Sequence, residues 1–167
     1  MSNTNPLWEE RVATLWSLLD KFEPAAFIAQ HELLLAELEP GSAVVLFERG
    51  AALDSTGQPA LAVPLYEAAL RNGLSGLRRR RAIIQMASSL RNLGNAQRAE
   101  EMLSAELQLP RDELTEAVRA FLALALVDLG REREAVVVSL QALSTYLPRY
   151  NRSLARYAEQ INKAVAK

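Results

Sequence analysis

The chain has 167 residues, half of them apolar and 23% charged, with a net charge of −1, no cysteine and one histidine. It is long enough for one globular domain with a sizeable core, and it excludes disulfides, thiolate metal sites, a cysteine nucleophile and an imidazole pair for zinc. No run approaches the 18 apolar residues of a membrane span, and the polar, then acidic stretch Met1–Glu10 is no secretory signal.

Apolar residues recur every three or four positions, as in Ala82, Ile83, Met86, Ala87, Leu90 and Leu93, and again in Leu154, Tyr157, Ala158, Ile161 and Val165. No stretch alternates with period two. Breaks at Pro24, Pro40 with Gly41, Gly57 with Pro59, Gly73 with Gly76, Gly94, Pro110, Gly130 and Pro148 divide the chain. The pattern predicts an all-α protein with helices at about 6–21, 24–38, 43–55, 58–72, 76–93, 95–108, 112–129, 132–146 and 150–166. Ser42, Ser75 and Asp112 are expected N-caps, because each side-chain oxygen can accept from a free amide at a helix start. The connections are too short for an interdomain linker, so a single domain over 1–167 is expected.

Charge is unevenly placed along this chain. Residues 1–70 hold ten acidic and three basic side chains, whereas residues 71–167 hold sixteen basic and ten acidic ones. Such a split steers partners or favours head-to-tail self-association, so a homo-oligomer is one expectation.

Self-similarity is the strongest signal. The segments Gly50-Ala51-Ala52-Leu53-Asp54-Ser55-Thr56-Gly57, Ala87-Ser88-Ser89-Leu90-Arg91-Asn92-Leu93-Gly94 and Ala123-Leu124-Ala125-Leu126-Val127-Asp128-Leu129-Gly130 each carry a small residue, a leucine three later and a glycine four beyond. Five residues past each glycine stands an alanine: Ala62, Ala99 and Ala135. Four further on come Tyr66, Leu103 and Ser139.

This spacing resembles the tetratricopeptide repeat. The resemblance implies antiparallel helix pairs stacked as a right-handed superhelix, an α-solenoid that binds proteins, with no cofactor and no catalysis. It implies clear repeats at 43–79, 80–115 and 116–149, a degenerate one at 7–40 and a capping helix at 150–167. Gly50, Ala87 and Ala123 would sit where paired helices cross. The glycines are 37 and 36 residues apart instead of the family's 34 or so, which implies a lengthened helix near Leu77–Leu93 and a longer loop near Pro110. Ser139 is a poor substitute for the bulky residue the pattern wants.

The first helix of each pair lines the concave face in such a stack. The groove positions implied are Val44, Phe47, Ala51 and Asp54, then Arg78, Arg81, Ile84, Gln85, Ser88, Arg91 and Asn92, then Leu124 and Asp128, with Ala117, Ala120 and Val127 beside them. A partner peptide or helix is expected there, and an acidic one suits the arginines, whose guanidinium groups clamp carboxylates bidentately. The alternative is that Arg78–Arg81 is a solvated helix turn. The lysine and asparagine clamp of the chaperone-binding subset is absent, since Phe47 and Ala51 occupy two of its positions.

Other classes find less support. The arginines have no interleaved aromatics, and the domain is slightly acidic, which speaks against nucleic acid. Glu9-Glu10 and Glu100-Glu101 are adjacent, so their side chains diverge by about 100° on a helix and cannot act as a facing acid–base pair. There is no glycine-rich phosphate loop, and His31 reads as a partly buried structural residue. The expected function is a cytoplasmic interaction scaffold with no metal and no membrane partner. The alternatives are a self-associating structural subunit and a secretion-type chaperone.

Overall fold

The computed structural model describes residues 4–163. Among them are nine α-helices and no strand: α1 (Pro6–Ser17), α2 (Pro24–Leu35), α3 (Ala43–Ser55), α4 (Pro59–Arg71), α5 (Gly76–Asn92), α6 (Ala96–Glu106), α7 (Thr115–Asp128), α8 (Glu132–Ser144) and α9 (Asn151–Lys163). The expected end of the last helix, including Val165 and Lys167, lies outside the described residues. Neighbours in sequence pack on each other: α1 on α2, α2 on α3, α3 on α4, α6 on α7, α7 on α8 and α8 on α9. The chain forms two compact units, which divide between Ser89 and Leu90 within α5.

The N-terminal unit is built on aromatic side chains. Leu15, Phe27 and Ala52 form a buried cluster, with Trp16, Leu19, Phe22 and Leu34 packed against it. The Trp16 and Phe27 rings lie 5.1 Å apart, and the Trp8 indole donates to the Leu34 carbonyl at 2.8 Å, which ties α1 to α2. The helix predicted to run to residue 21 ends at Ser17 and tightens into a short 3-10 turn, Leu19–Lys21. Such turns are frequent at helix ends, where tail carbonyls find closer partners.

In the C-terminal unit α6 packs on α7, α7 on α8 and α8 on α9. Val118, Leu122, Ala125 and Leu126 bury one face of α7, and Ala135, Val137 and Ala142 of α8 are buried as well.

The repeated glycines do one job. Gly94 has φ +81°; its amide donates to the Arg91 carbonyl at 3.0 Å, and the Asn95 amide reaches the Leu90 carbonyl at 2.8 Å. These two bonds satisfy the last carbonyls of α5, and they need a left-handed residue between them. Gly57 and Gly130 repeat the arrangement with Leu53 and Leu126 as the far acceptors. Gly50 has a different role. A Cβ built there would lie 3.1 Å from two Tyr66 ring atoms and 3.3 Å from the Leu65 Cβ, so α3 and α4 cross where no side chain fits easily.

The extra residues of the longer repeats fall where the spacing implied: α5 has 17 residues, more than any other described helix, and a long connection precedes α7. Asp112 does not cap α7. Its carboxylate accepts from the Leu114 amide at 2.9 Å, while its own amide donates to the Thr115 hydroxyl at 2.9 Å. That turn delays the helix to Thr115. Ser42 caps α3 as expected, accepting from the Val45 amide. Ser139 is exposed, so the third pair does without the bulky core residue that its counterparts Tyr66 and Leu103 supply.

Candidate functional site

The residues predicted to line a groove fall into two groups, one in each unit. In the N-terminal unit Val44, Phe47, Ala51 and Ile84 are all buried. They pack the interior and present no surface to a partner. The Phe47 ring lies 6.2 Å from the Tyr66 ring, and the Arg81 guanidinium sits 5.2 Å over Phe47. Cation–π contact of this kind fixes Arg81 against the protein itself.

Asp54 is also engaged from within. Its carboxylate accepts from the Ser89 hydroxyl at 2.6 Å and from the Tyr66 hydroxyl at 3.3 Å, and burial pushes its pKa up. Gln85 and Ser88 are half-buried beside this network.

Arg78 does not belong to a solvated turn. Its Nε donates to Glu48 Oε1 at 3.1 Å, and its two terminal nitrogens reach the Glu9 carboxylate at 3.0 and 2.5 Å. This bidentate bond from Arg78 holds the Glu9 carboxyl below its usual range. Arg78 therefore joins α1, α3 and α5. Arg80 is buried, and Arg79 is half-buried with an interaction of its own. The arginine run is largely an internal fastening.

The acid at the centre of this fastening is Glu48, only 1% exposed. Besides Arg78 at Oε1, it accepts from the Trp16 indole at Oε2, 3.1 Å away, and His31 Nε2 lies 3.7 Å from that same Oε2. His31 is fully buried, beyond the partial burial expected, between the Trp16 and Phe27 rings at 5.4 and 5.8 Å. Burial pushes its pKa down, because the charged ring would lose its water. The sequence did carry a signal for Glu48: it is the lone acid in the apolar run Val44–Ala52 interrupted by charge only there and at Arg49.

The C-terminal unit differs. On α7, Leu124 is 44% and Val127 50% exposed, and Ala120 and Asp128 are exposed with them. Ala117 is half-buried on the same stripe. These positions recur every three or four residues and so share one face. Arg91 forms an ion pair with Asp128 at the end of this stripe, and Asn92 is exposed beside it. The result is an accessible apolar strip terminated by a charged pair.

A family model described as tetratrico peptide repeat matches residues 43–161. The chain belongs to the tetratricopeptide repeat family. The match spans α3 through most of α9 and leaves out α1 and α2, the pair whose sequence lacks the turn glycine and small residues. Tetratricopeptide repeats generally serve as protein–protein interaction scaffolds and not as enzymes. Searches of curated proteins and of solved structures return no match. Among the described residues no helix is long and apolar enough to cross a membrane, and no group of three or more His, Cys, Asp or Glu side chains is placed to hold a metal ion.

Proposed function

We propose that this tetratricopeptide repeat protein is a scaffold that captures a partner polypeptide along the exposed face of α7. The observation that carries the proposal is the strip Ala120, Leu124 and Val127, left uncovered although flanking positions of the same helix form the core. Covering the exposed half of Leu124 and Val127 contributes about 1 kcal/mol each, too little for specific binding alone. Arg91 supplies the second element. A partner carboxylate that competes with Asp128 for its guanidinium fixes orientation and selects acidic segments. The fitting partner is thus a short helix or extended segment with an apolar side chain followed by an acid.

The test is a comparative pull-down from lysate of the source organism. The baits are wild type, Leu124→Glu/Val127→Glu, and Leu61→Glu, which alters an exposed leucine on α4. All three should have matching helical circular dichroism. A protein captured by wild type and Leu61→Glu but depleted at least tenfold by the double variant is the expected result, since burying two new carboxylates costs several kcal/mol. Equal capture by all three would refute the α7 site.

A further inference from the structure

Helices α8 and α9 leave an open cleft of about 520 Å³, lined by Glu132, Arg133, Val136, Tyr157, Gln160 and Ile161. Its floor is apolar and uncovered: Val136 and Tyr157, the latter 54% exposed, with Leu143 also exposed on α8. Its lining carries one charge of each sign, Glu132 and Arg133, and α9 adds bases. Arg149, Arg152 and Arg156 are exposed and form no ion pair among the described residues, with Glu159 as the one acid that α9 contributes. The Arg156 guanidinium lies 5.4 Å over the Tyr157 ring, which brings that one cation to the edge of the cleft.

A surface of opposite character lies on α1 and α2. Helix α2 is apolar nearly all round, a composition that ordinarily belongs to a helix covered on both sides. Yet Ala26, Ala29 and Leu33 are exposed, Leu33 at 65%. The ion pair between Arg11 and Glu37 ties the two helices on this side. Leu18, the residue after α1, is exposed as well, at 41%. Asp20 and Glu23, in the turn after Leu18, are exposed and unpaired among the described residues, against one exposed base, Lys21.

We infer that copies of this chain associate head to tail, with the acidic, apolar face of α1–α2 of one copy seated in the basic, apolar cleft of α8–α9 of the next. The inference is independent of the partner site on α7. Charge complementarity selects a second copy as the occupant: α9 exposes Arg152 and Arg156 against Glu159, and the turn between α1 and α2 exposes Asp20 and Glu23 against Lys21. Because the two patches differ, the contact is heterologous, and each added copy presents a fresh patch until a ring closes.

Sedimentation velocity over a wide concentration range tests this in about 0.01 M and about 1 M salt, where the screening length falls from about 30 to about 3 Å. Wild type should grow in mass with concentration at low salt and shift back toward monomer at high salt. Arg152→Glu/Arg156→Glu and Asp20→Lys/Glu23→Lys should each associate roughly a hundredfold more weakly alone, because like charges then face each other. Mixed together, the two variants should recover assembly, which no misfolded variant would do. A wild type that stays monomeric at every concentration overturns the inference, as does assembly that ignores both charge reversals or variants that fail to rescue each other.

Discussion

Glu48→Ala should lower the unfolding free energy of the N-terminal unit by about 3–5 kcal/mol, the range for removing one partner of a buried charge pair. The loss exceeds that of a surface ion pair by far, and the geometry says why. Arg78 is left with Glu9 alone, in a site where its own side chain is mostly covered, and the Trp16 indole loses its acceptor. A new cavity opens among Trp16, Phe27 and His31 besides. Both tryptophans of the chain, Trp8 and Trp16, lie in this unit, so urea denaturation followed by tryptophan fluorescence reads it specifically. Glu48→Gln keeps the volume and an acceptor oxygen and should cost less. A loss below about 1 kcal/mol for Glu48→Ala would show that the fastening contributes little.

Tyr66→Ala should cost a similar amount, about 3–5 kcal/mol, since it empties a fully buried aromatic site beside Phe47 and frees Asp54 of one donor. The more informative measurement couples it to Gly50. Gly50→Val in the wild-type background drives methyl groups into Tyr66 and Leu65 and should destabilise by about 1–3 kcal/mol. With Tyr66 already alanine, the space opposite is open and the same substitution should cost much less. The double-mutant cycle in urea reads this coupling. Additive costs would mean that the α3–α4 crossing is not set by this contact.

The repeat was legible in the sequence because its signals are local. A left-handed glycine, a small residue at a helix crossing and an alanine five positions on each announce themselves without reference to the rest of the chain, and Gly57, Gly94 and Gly130 all take the expected conformation. Exposure of the groove positions was not legible, because it depends on which side chains come from elsewhere. Ala51 and Leu124 stand at matching positions on α3 and α7, one residue past Gly50 and Ala123, and nothing in their own neighbourhoods says that one is covered and the other open. In the N-terminal unit Arg81 folds over Phe47, and Ser89 and Tyr66 occupy Asp54. The arginine run likewise reads as groove or solvated turn until Glu9, 69 residues distant, is seen to take Arg78. Asp112 shows the limit of cap rules: its carboxylate and amide bond within the turn to Leu114 and Thr115, and the helix starts only at Thr115.

Site-specific photo-crosslinking tests most directly whether recognition runs along α7. A photoreactive amino acid would replace Ala120, Leu124 or Val127 in turn, with Leu61 on α4 as the exposed control. Recognition along α7 predicts one shared adduct at all three positions, competed away by excess unlabelled wild type, and none at Leu61. Adducts of equal yield at Leu61, or none on α7, would contradict it.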